Sequence, residues 1–238
     1  MDDPARANRP LREIFGEVAA TYEKVNRVLT LGFDRRWRRA AARIAAREGG
    51  ERWLDVCSGT GEMAEGLARR AGEGTAITAF DFSLPMLARA RGKAMARPVD
   101  FVLGDVKSLP FPGAAFDLVT ISFATRNINL SRPVLVATFA EFHRVLKPGG
   151  RFVNLETSQP RCGVVRRLFH AYVALLVKRV GTRLSGSLAG YAYLSTTIPK
   201  FYGAEELAAI LKEAGFAGVS FRRLLFGAAA VHVSRKAR

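Results

Sequence analysis

Asp55, Asp81 and Asp105 each close a short apolar run, and a glycine turn follows the first of them. In Leu54-Asp55-Val56-Cys57-Ser58-Gly59-Thr60-Gly61-Glu62, the run 53–56 ends in glycines and opens a helical pattern. Such a turn lets backbone approach a ligand closely. Gly59, Gly61 and Ala64 also satisfy the loose dinucleotide pattern Gly-x-Gly-x-x-Gly/Ala. Asp55 stands four residues before Gly59, where it would repel a pyrophosphate and attract a cationic ligand. Asp81 follows Gly61 by 20 residues, a place where an acid accepts both ribose hydroxyls of an adenosine moiety. Its competing use is a helix N-cap, which Ser83 is available to fill. Asp105 suits the amino group of an adenine ring held between apolar neighbours. Residues 122–129 lie beyond a fourth apolar run and include Arg126; ligands bind at that carboxyl edge in open α/β sheets.

Chemistry at strand ends needs a scaffold that brings those ends to one edge. The pattern predicts strands over 53–56, 75–80, 101–103, 116–121 and 151–155. Helical spacing alternates with them over 63–70, after Ser83, over 132–146 with a stop at Pro148-Gly149-Gly150, and over 205–214 before Gly215. Strands alternating with helices imply right-handed crossovers and a parallel sheet. The runs 218–225 and 228–234, joined across Gly227, predict a hairpin. The expected fold is α/β and Rossmann-like: a doubly wound, mostly parallel sheet with a C-terminal antiparallel hairpin. Without internal repeats or a low-complexity linker, the chain reads as one domain over 1–238, with appendages at 1–45 and 160–203.

Composition narrows the classes further. An apolar fraction of 49% with 24% charged residues over 238 residues excludes a disordered or fibrous chain. No apolar run approaches the roughly 20 residues that span a bilayer. The start Met1-Asp2-Asp3 has no apolar core behind it, so no signal peptide is expected. Two cysteines, Cys57 and Cys162, point to a reducing compartment rather than a disulfide framework. The net charge of +16 is uneven: +4 over 1–50, +2 over 51–150 and +10 over 151–238. Residues 157–204 hold seven basic groups and no acid. That face is either simply solvated or a surface for nucleic acid or anionic lipid. Residues 162–180 read as a very apolar helix with basic ends, either a lid or an amphipathic insertion that admits a lipid tail.

Together, Asp55-x-x-x-Gly59-x-Gly61, Asp81, Asp105, Leu109-Pro110-Phe111, Phe116-Asp117-Leu118-Val119 and Leu146-Lys147-Pro148-Gly149-Gly150 resemble a class I S-adenosylmethionine-dependent methyltransferase. The stretches Phe15, Tyr22-x-x-x-Asn26, Gly32-x-x-x-x-Trp37-Arg38, Arg126-Asn127 and Tyr191-x-Tyr193-Leu194 extend the resemblance to the ubiquinone/menaquinone-biosynthesis C-methyltransferase family. The resemblance implies S-adenosylmethionine bound through Thr60, Asp81, the pair Asp105-Val106 and Ser122, beside the Asp55, Gly59, Gly61 turn. It implies no metal. Methylation then falls on a ring carbon of a prenylated hydroquinone, demethylmenaquinol above all, with Arg126 steadying a phenolate or orienting a water and with Tyr22 and Tyr193 lining the site. The 1–45 segment becomes the helical substrate side, and 160–203 the basic, apolar insertion. Against the family pattern, Glu62 stands for a common Asp, Asp34 for a frequent His and Thr125 for an aliphatic residue.

The implied setting is cytoplasmic, with peripheral contact at the anionic inner face of the cell membrane; monomer and homodimer both remain open. The competing readings are a methyltransferase acting on RNA or on another small molecule, and an NAD(P)-binding oxidoreductase. RNA would use the +16 charge but would want an appended binding module, so no nucleic-acid partner is expected. The oxidoreductase accounts for Gly59, Gly61 and Asp81 but not for Asp55 or Asp105.

Overall fold

The computed structural model describes residues 13, 15–177, 179–180, 183 and 195–238. Its strands are β1 (Arg52–Val56), β2 (Ala76–Asp81), β3 (Asp100–Leu103), β4 (Phe116–Ser122), β5 (Leu146–Thr157), β6 (Ala217–Leu224) and β7 (Ala229–Arg235). They form one sheet in the order β3-β2-β1-β4-β5-β7-β6. β1 pairs in parallel with β2 and β4, β2 with β3, and β4 with β5. β7 runs antiparallel between β5 and β6, so the expected C-terminal hairpin is present and its second strand inserts into the sheet.

Side chains alternate across the sheet because a strand has a period of two. Trp53, Leu118, Val153 and Val231 share a core with Ala41, Ala42, Met63 and Leu67. These come from the helices α2 (Phe33–Ala45) and α3 (Glu62–Ala68). Their neighbours Leu54, Val119 and Phe152 join the opposite core, with Phe139 and Phe142 of α6 (Arg132–Val145) and Leu207 and Ile210 of α8 (Ala204–Glu213). A sheet covered on both faces explains why its central strands are apolar nearly throughout. The chain order also includes α1 (Tyr22–Leu29), α4 (Leu84–Arg91), the single turn α5 (Thr125–Ile128) and α7 (Gly163–Tyr172).

Two boundaries differ from the sequence pattern. α6 ends at Val145, and Leu146 is already extended (φ −72°, ψ 139°), so Pro148-Gly149-Gly150 lies within β5 instead of stopping the helix. Leu146 is fully buried and pairs with Phe116, and that pairing outweighs one more helical turn. The apolar segment after Cys162 is α-helical only through Tyr172 and continues as a π-helical turn over Val173–Val177. Its buried residues are Val173 and Val177, which pack with Val25, Leu29 and Met86 in a third, smaller core.

Phe152 is the hub of the second core, with ring centroids 5.6 Å from Phe139, 5.5 Å from Phe142 and 5.3 Å from Phe216. Replacing it by alanine removes all three contacts at a site closed on every side. Phe152→Ala is expected to cost about 3–5 kcal/mol in urea unfolding. A loss below about 1 kcal/mol would show that this core collapses around the gap.

Candidate functional site

The strand ends β1, β2 and β4 open onto a cleft of about 570 Å³, with Ser58, Gly59, Thr60, Asp81 and Ser122 on its wall. Its floor is the turn after β1. Gly61 has φ +79°, and a Cβ there would meet the Cβ of Ala90 at 2.9 Å, so a larger residue is excluded on two counts. Asp81 ties this turn to its neighbour: Gly59 N donates to Oδ2 and Ser83 N to Oδ1, both at 2.8 Å. Asp81 thus serves the start of α4, where the expectation was a Ser83 side-chain cap; Ser83 makes no such bond. Asp55 is fully buried behind the cleft and accepts from Thr120 Oγ1 at 2.7 Å.

Burial dominates the electrostatics here. It pushes Asp55 up to about 7 against the pull of the Thr120 hydroxyl, and Asp81 up to about 6 against the amides of Ser83 and Gly59. Arg38 is the one cation on the cleft wall among the described residues. Its Nη1 is already shared between Asp34 Oδ2 and Glu62 Oε2, each at 3.0 Å, and its guanidinium lies 4.9 Å over the Phe123 ring. The cleft therefore holds carboxylates with too little positive charge to match them. A cationic ligand with a vicinal diol relieves that imbalance, and a pyrophosphate worsens it.

A second cleft of about 1550 Å³ adjoins the first and shares Phe15, Tyr22, Arg38, Phe123 and Asn127 with it. Its walls are mainly apolar: Leu29, Phe33 and Trp37 from α1 and α2, Val165, Leu168 and Phe169 from α7, and Leu225 and Phe226 from the hairpin. Tyr172 of α7 donates its hydroxyl to Leu29 O, which joins the insertion to α1. Arg126 is buried in the wall of this cleft. Nη1 donates to Thr157 Oγ1 at 3.0 Å and meets Glu156 Oε1 at 3.4 Å, while Nε is buried without a hydrogen-bond partner among the described residues. Asn127 Oδ1 beside it is likewise buried and unpartnered. Burial raises the Tyr22 phenol, against the opposing pull of Arg38, Asn26 and Arg126.

The structure thus brings Gly59, Thr60, Asp81, Ser122 and Tyr22 to one cleft, and Tyr22 and Arg126 to the next. Asp55 and Gly61 support the turn from behind. Asp105 follows β3 and accepts from Lys107 N at 3.0 Å through Oδ1, and Val106 packs into the core; neither forms part of the cleft wall. Tyr193 lies outside the described residues. His143 packs edge-on against Phe216, and His170 meets Gln159 Oε1 at 2.8 Å, so both already have structural partners. Sequence reasoning passed over Glu156 and the Asp34–Arg38–Glu62 cluster. The rule that found Asp55 and Asp81, an acid at a strand's carboxyl end, also marks Glu156 at the end of β5.

The strand order, the reversed hairpin and a ligand cleft at the carboxyl edge define a class I methyltransferase fold. Solved structures agree at the level of fold: a possible histamine N-methyltransferase of Thermotoga maritima superposes with a TM-score of 0.64 at 17% identity, covering 94% of this chain and 98% of that one. The chain belongs to the ubiE/COQ5 methyltransferase family, whose model matches residues 4–236. A demethylmenaquinone methyltransferase of Thermus thermophilus is 40% identical over 222 residues, 92% of this chain and 98% of the relative. The ubiquinone/menaquinone biosynthesis C-methyltransferase UbiE of Geobacter sulfurreducens is 35% identical over 95% of this chain and 88% of its own.

The raised carboxyls set a pH dependence whose sign follows from linkage. In the unfolded chain both aspartates titrate near 4, roughly. The folded protein therefore binds their protons more tightly, and stability falls as pH rises from about 4 through 7. Asp55→Asn keeps the acceptor for Thr120 and removes the charge. Urea midpoints from pH 5.5 to pH 8, roughly spanning that window, should fall less steeply in the variant than in the parent. Equal slopes would mean that Asp55 does not titrate there.

Proposed function

We propose that this protein transfers the methyl group of S-adenosylmethionine to a ring carbon of a prenylated hydroquinone, with demethylmenaquinol as the foremost substrate. The observation that carries this reading is the junction of two unlike clefts, one walled by excess carboxylate at a glycine turn and one large and apolar, at Tyr22, Arg38 and Phe123. The names of the relatives, demethylmenaquinone methyltransferase among them, support the same substrate class. A polyanion such as RNA is poorly matched by a cleft whose walls are mainly apolar, with Leu29, Trp37, Val165 and Phe169 among them.

When bound, S-adenosylmethionine supplies an electrophilic methyl group on a cationic sulfur. Asp81 would accept from its ribose hydroxyls while holding Gly59 and Ser83, and Asp55 would add negative charge behind the turn. Thr60 and Ser122 line the same wall, and Asp105 and Val106 join the set by family resemblance. On the substrate side, loss of a phenolic proton puts charge on the ortho carbon. Arg126 Nε, already desolvated and unpartnered, is the donor available to the resulting oxyanion. Tyr22 and Asn127 line both clefts and would orient the ring between them. Tyr193 joins this set by family resemblance.

The prenyl tail would leave through the rim, where Leu31 and Phe226 are each 81% exposed. No described helix is long and apolar enough to cross a membrane. We infer a chain, monomeric or dimeric, that works at the cytoplasmic face and collects its quinol by peripheral contact. Each basic residue near an anionic surface contributes about 1 kcal/mol, and that attraction fades beyond roughly 10 Å at 0.1 M salt.

Incubation with labelled S-adenosylmethionine and the demethylated naphthoquinol or benzoquinol tests the reaction, with label expected in a ring methyl of the quinone product. Arg126→Lys keeps the charge and loses the planar fork, so turnover should fall while cofactor affinity by calorimetry holds. No labelled quinone from either substrate would overturn the reading. In co-sedimentation, anionic liposomes should retain the protein in low salt and release it in high salt, and neutral ones should retain little. Equal, negligible retention on both would end the membrane contact.

A further inference from the structure

Glu156 has no task in the mechanism above, yet it is 1% exposed and carries a carboxylate at the carboxyl end of β5. A charge is expensive to bury unless partners surround it. Four donors converge on it. Thr157 N and Thr157 Oγ1 donate to Oε1 at 2.7 and 2.9 Å, Arg126 N donates to Oε2 at 3.2 Å, and Arg126 Nη1 meets Oε1 at 3.4 Å. Arg126 is thus held twice by one side chain, through its backbone amide and through its guanidinium.

The sheet register makes this possible. Ser122, the last residue of β4, pairs with Leu155 of β5, so Glu156 comes level with the chain as it leaves the sheet toward α5. Two residues earlier on the same face of β5, Asn154 Oδ1 accepts from Thr125 Oγ1 at 3.0 Å. The short turn bearing Arg126 is therefore fastened to β5 at both Thr125 and Arg126. Thr157 Oγ1 completes the arrangement, accepting from Arg126 Nη1 at 3.0 Å while donating to Glu156.

The apolar cleft is walled by Arg126 and Thr157 but not by Glu156. The carboxylate stands buried behind them and does not line the cleft, so it is not placed to receive a proton directly from a molecule there. We propose that Glu156 is a positioning residue for methyl transfer: it grips one edge of the Arg126 guanidinium, directly and through the Thr157 hydroxyl, and so leaves Nε free for a ligand oxyanion. The proposal rests on the reading of Arg126 as the oxyanion donor. Arg126 alone would be a mobile guanidinium against an apolar wall; gripped by Glu156, it offers a donor in one orientation.

Two experiments separate this proposal from the function it rests on. The first is kinetic, on the full chain with S-adenosylmethionine and the demethylated naphthoquinol. Glu156→Gln should lower kcat by about tenfold to a hundredfold, the scale of a small misplacement, with cofactor affinity by calorimetry unchanged. Glu156→Asp, which keeps the charge at shorter reach, should recover part of the loss. In the background of Arg126→Lys, adding Glu156→Gln should cost little more, because a residue acting through Arg126 has nothing left to position. Full activity in Glu156→Gln, or losses that simply multiply in the double variant, would overturn the proposal.

The second reads Arg126 without catalysis. In a nitrogen-15 spectrum of the side-chain Nε–H groups, the Arg126 signal, assigned by its loss in Arg126→Lys, should be sharp in the parent and shifted or broadened in Glu156→Gln and, less so, in Glu156→Asp. An unchanged signal in both overturns the positioning role even if no quinol is methylated. A parent inactive on every quinol, with the signal still moving in the variants, overturns the oxyanion function and leaves the grip of Glu156 on Arg126 standing.

Discussion

The carboxylate of Asp81 is buried at the end of β2, on the cleft wall, where the amides of Gly59 and Ser83 donate to it. By accepting from Gly59 and Ser83 it joins the turn after β1 to the first turn of α4, and the cleft between them takes its shape from that junction. The amides do not fully offset burial, which is why the group stays above the ordinary carboxylate range. Asp55, one strand over, is raised for the same reason and is raised further by Asp81. Two such groups side by side cost folding energy unless a positive ligand arrives. The sheet is stable enough to carry that cost because its central strands are buried on both faces.

From that cleft the rest of the site follows by adjacency. Arg38 forms part of both cavities and is held by Asp34 on the apolar side and Glu62 on the acid side. Thr30 Oγ1 donates to Asp34 Oδ1 at 2.9 Å, so the end of α1 and the start of α2 are tied to the same cluster. Phe123, under the Arg38 guanidinium, separates the two cavities without closing them off from each other. Asp34 and Glu62 depart from the family pattern, yet both are employed on one guanidinium. The two departures belong to a single ion cluster.

The +16 charge is also better understood in three dimensions. Arg126 and Arg38 are absorbed by buried acids, and Arg132, Arg144 and Arg223 by Glu213, Glu141 and Glu205. Exposed ion pairs of that kind add little stability but cancel field at a distance. Within the acid-free stretch, α7 carries Arg166 and Arg167 and contributes Val165 and Leu168 to the wall of the apolar cleft.

Much of the fold and part of the site could be read from the chain alone. Strands and glycine turns are legible because their causes are local: a period of two, an apolar run, a φ that only glycine adopts without strain. An acid at the end of such a run lies at the carboxyl edge of the sheet, where Asp81 lines the cleft and Asp55 is buried behind it. What local pattern cannot supply is pairing between distant residues. The end of α6 was decided by Leu146 finding Phe116 on β4, and the cap of α4 by Asp81 reaching Ser83 N before the serine hydroxyl could serve. Arg126 and Glu156 are 30 residues apart and become neighbours only through the β4–β5 register. Asp34 lies one turn before Arg38 on α2, but Glu62 reaches it from α3. Chemistry at the strand ends was therefore written locally, whereas the partners that orient it were chosen by the packing of one strand or helix against another.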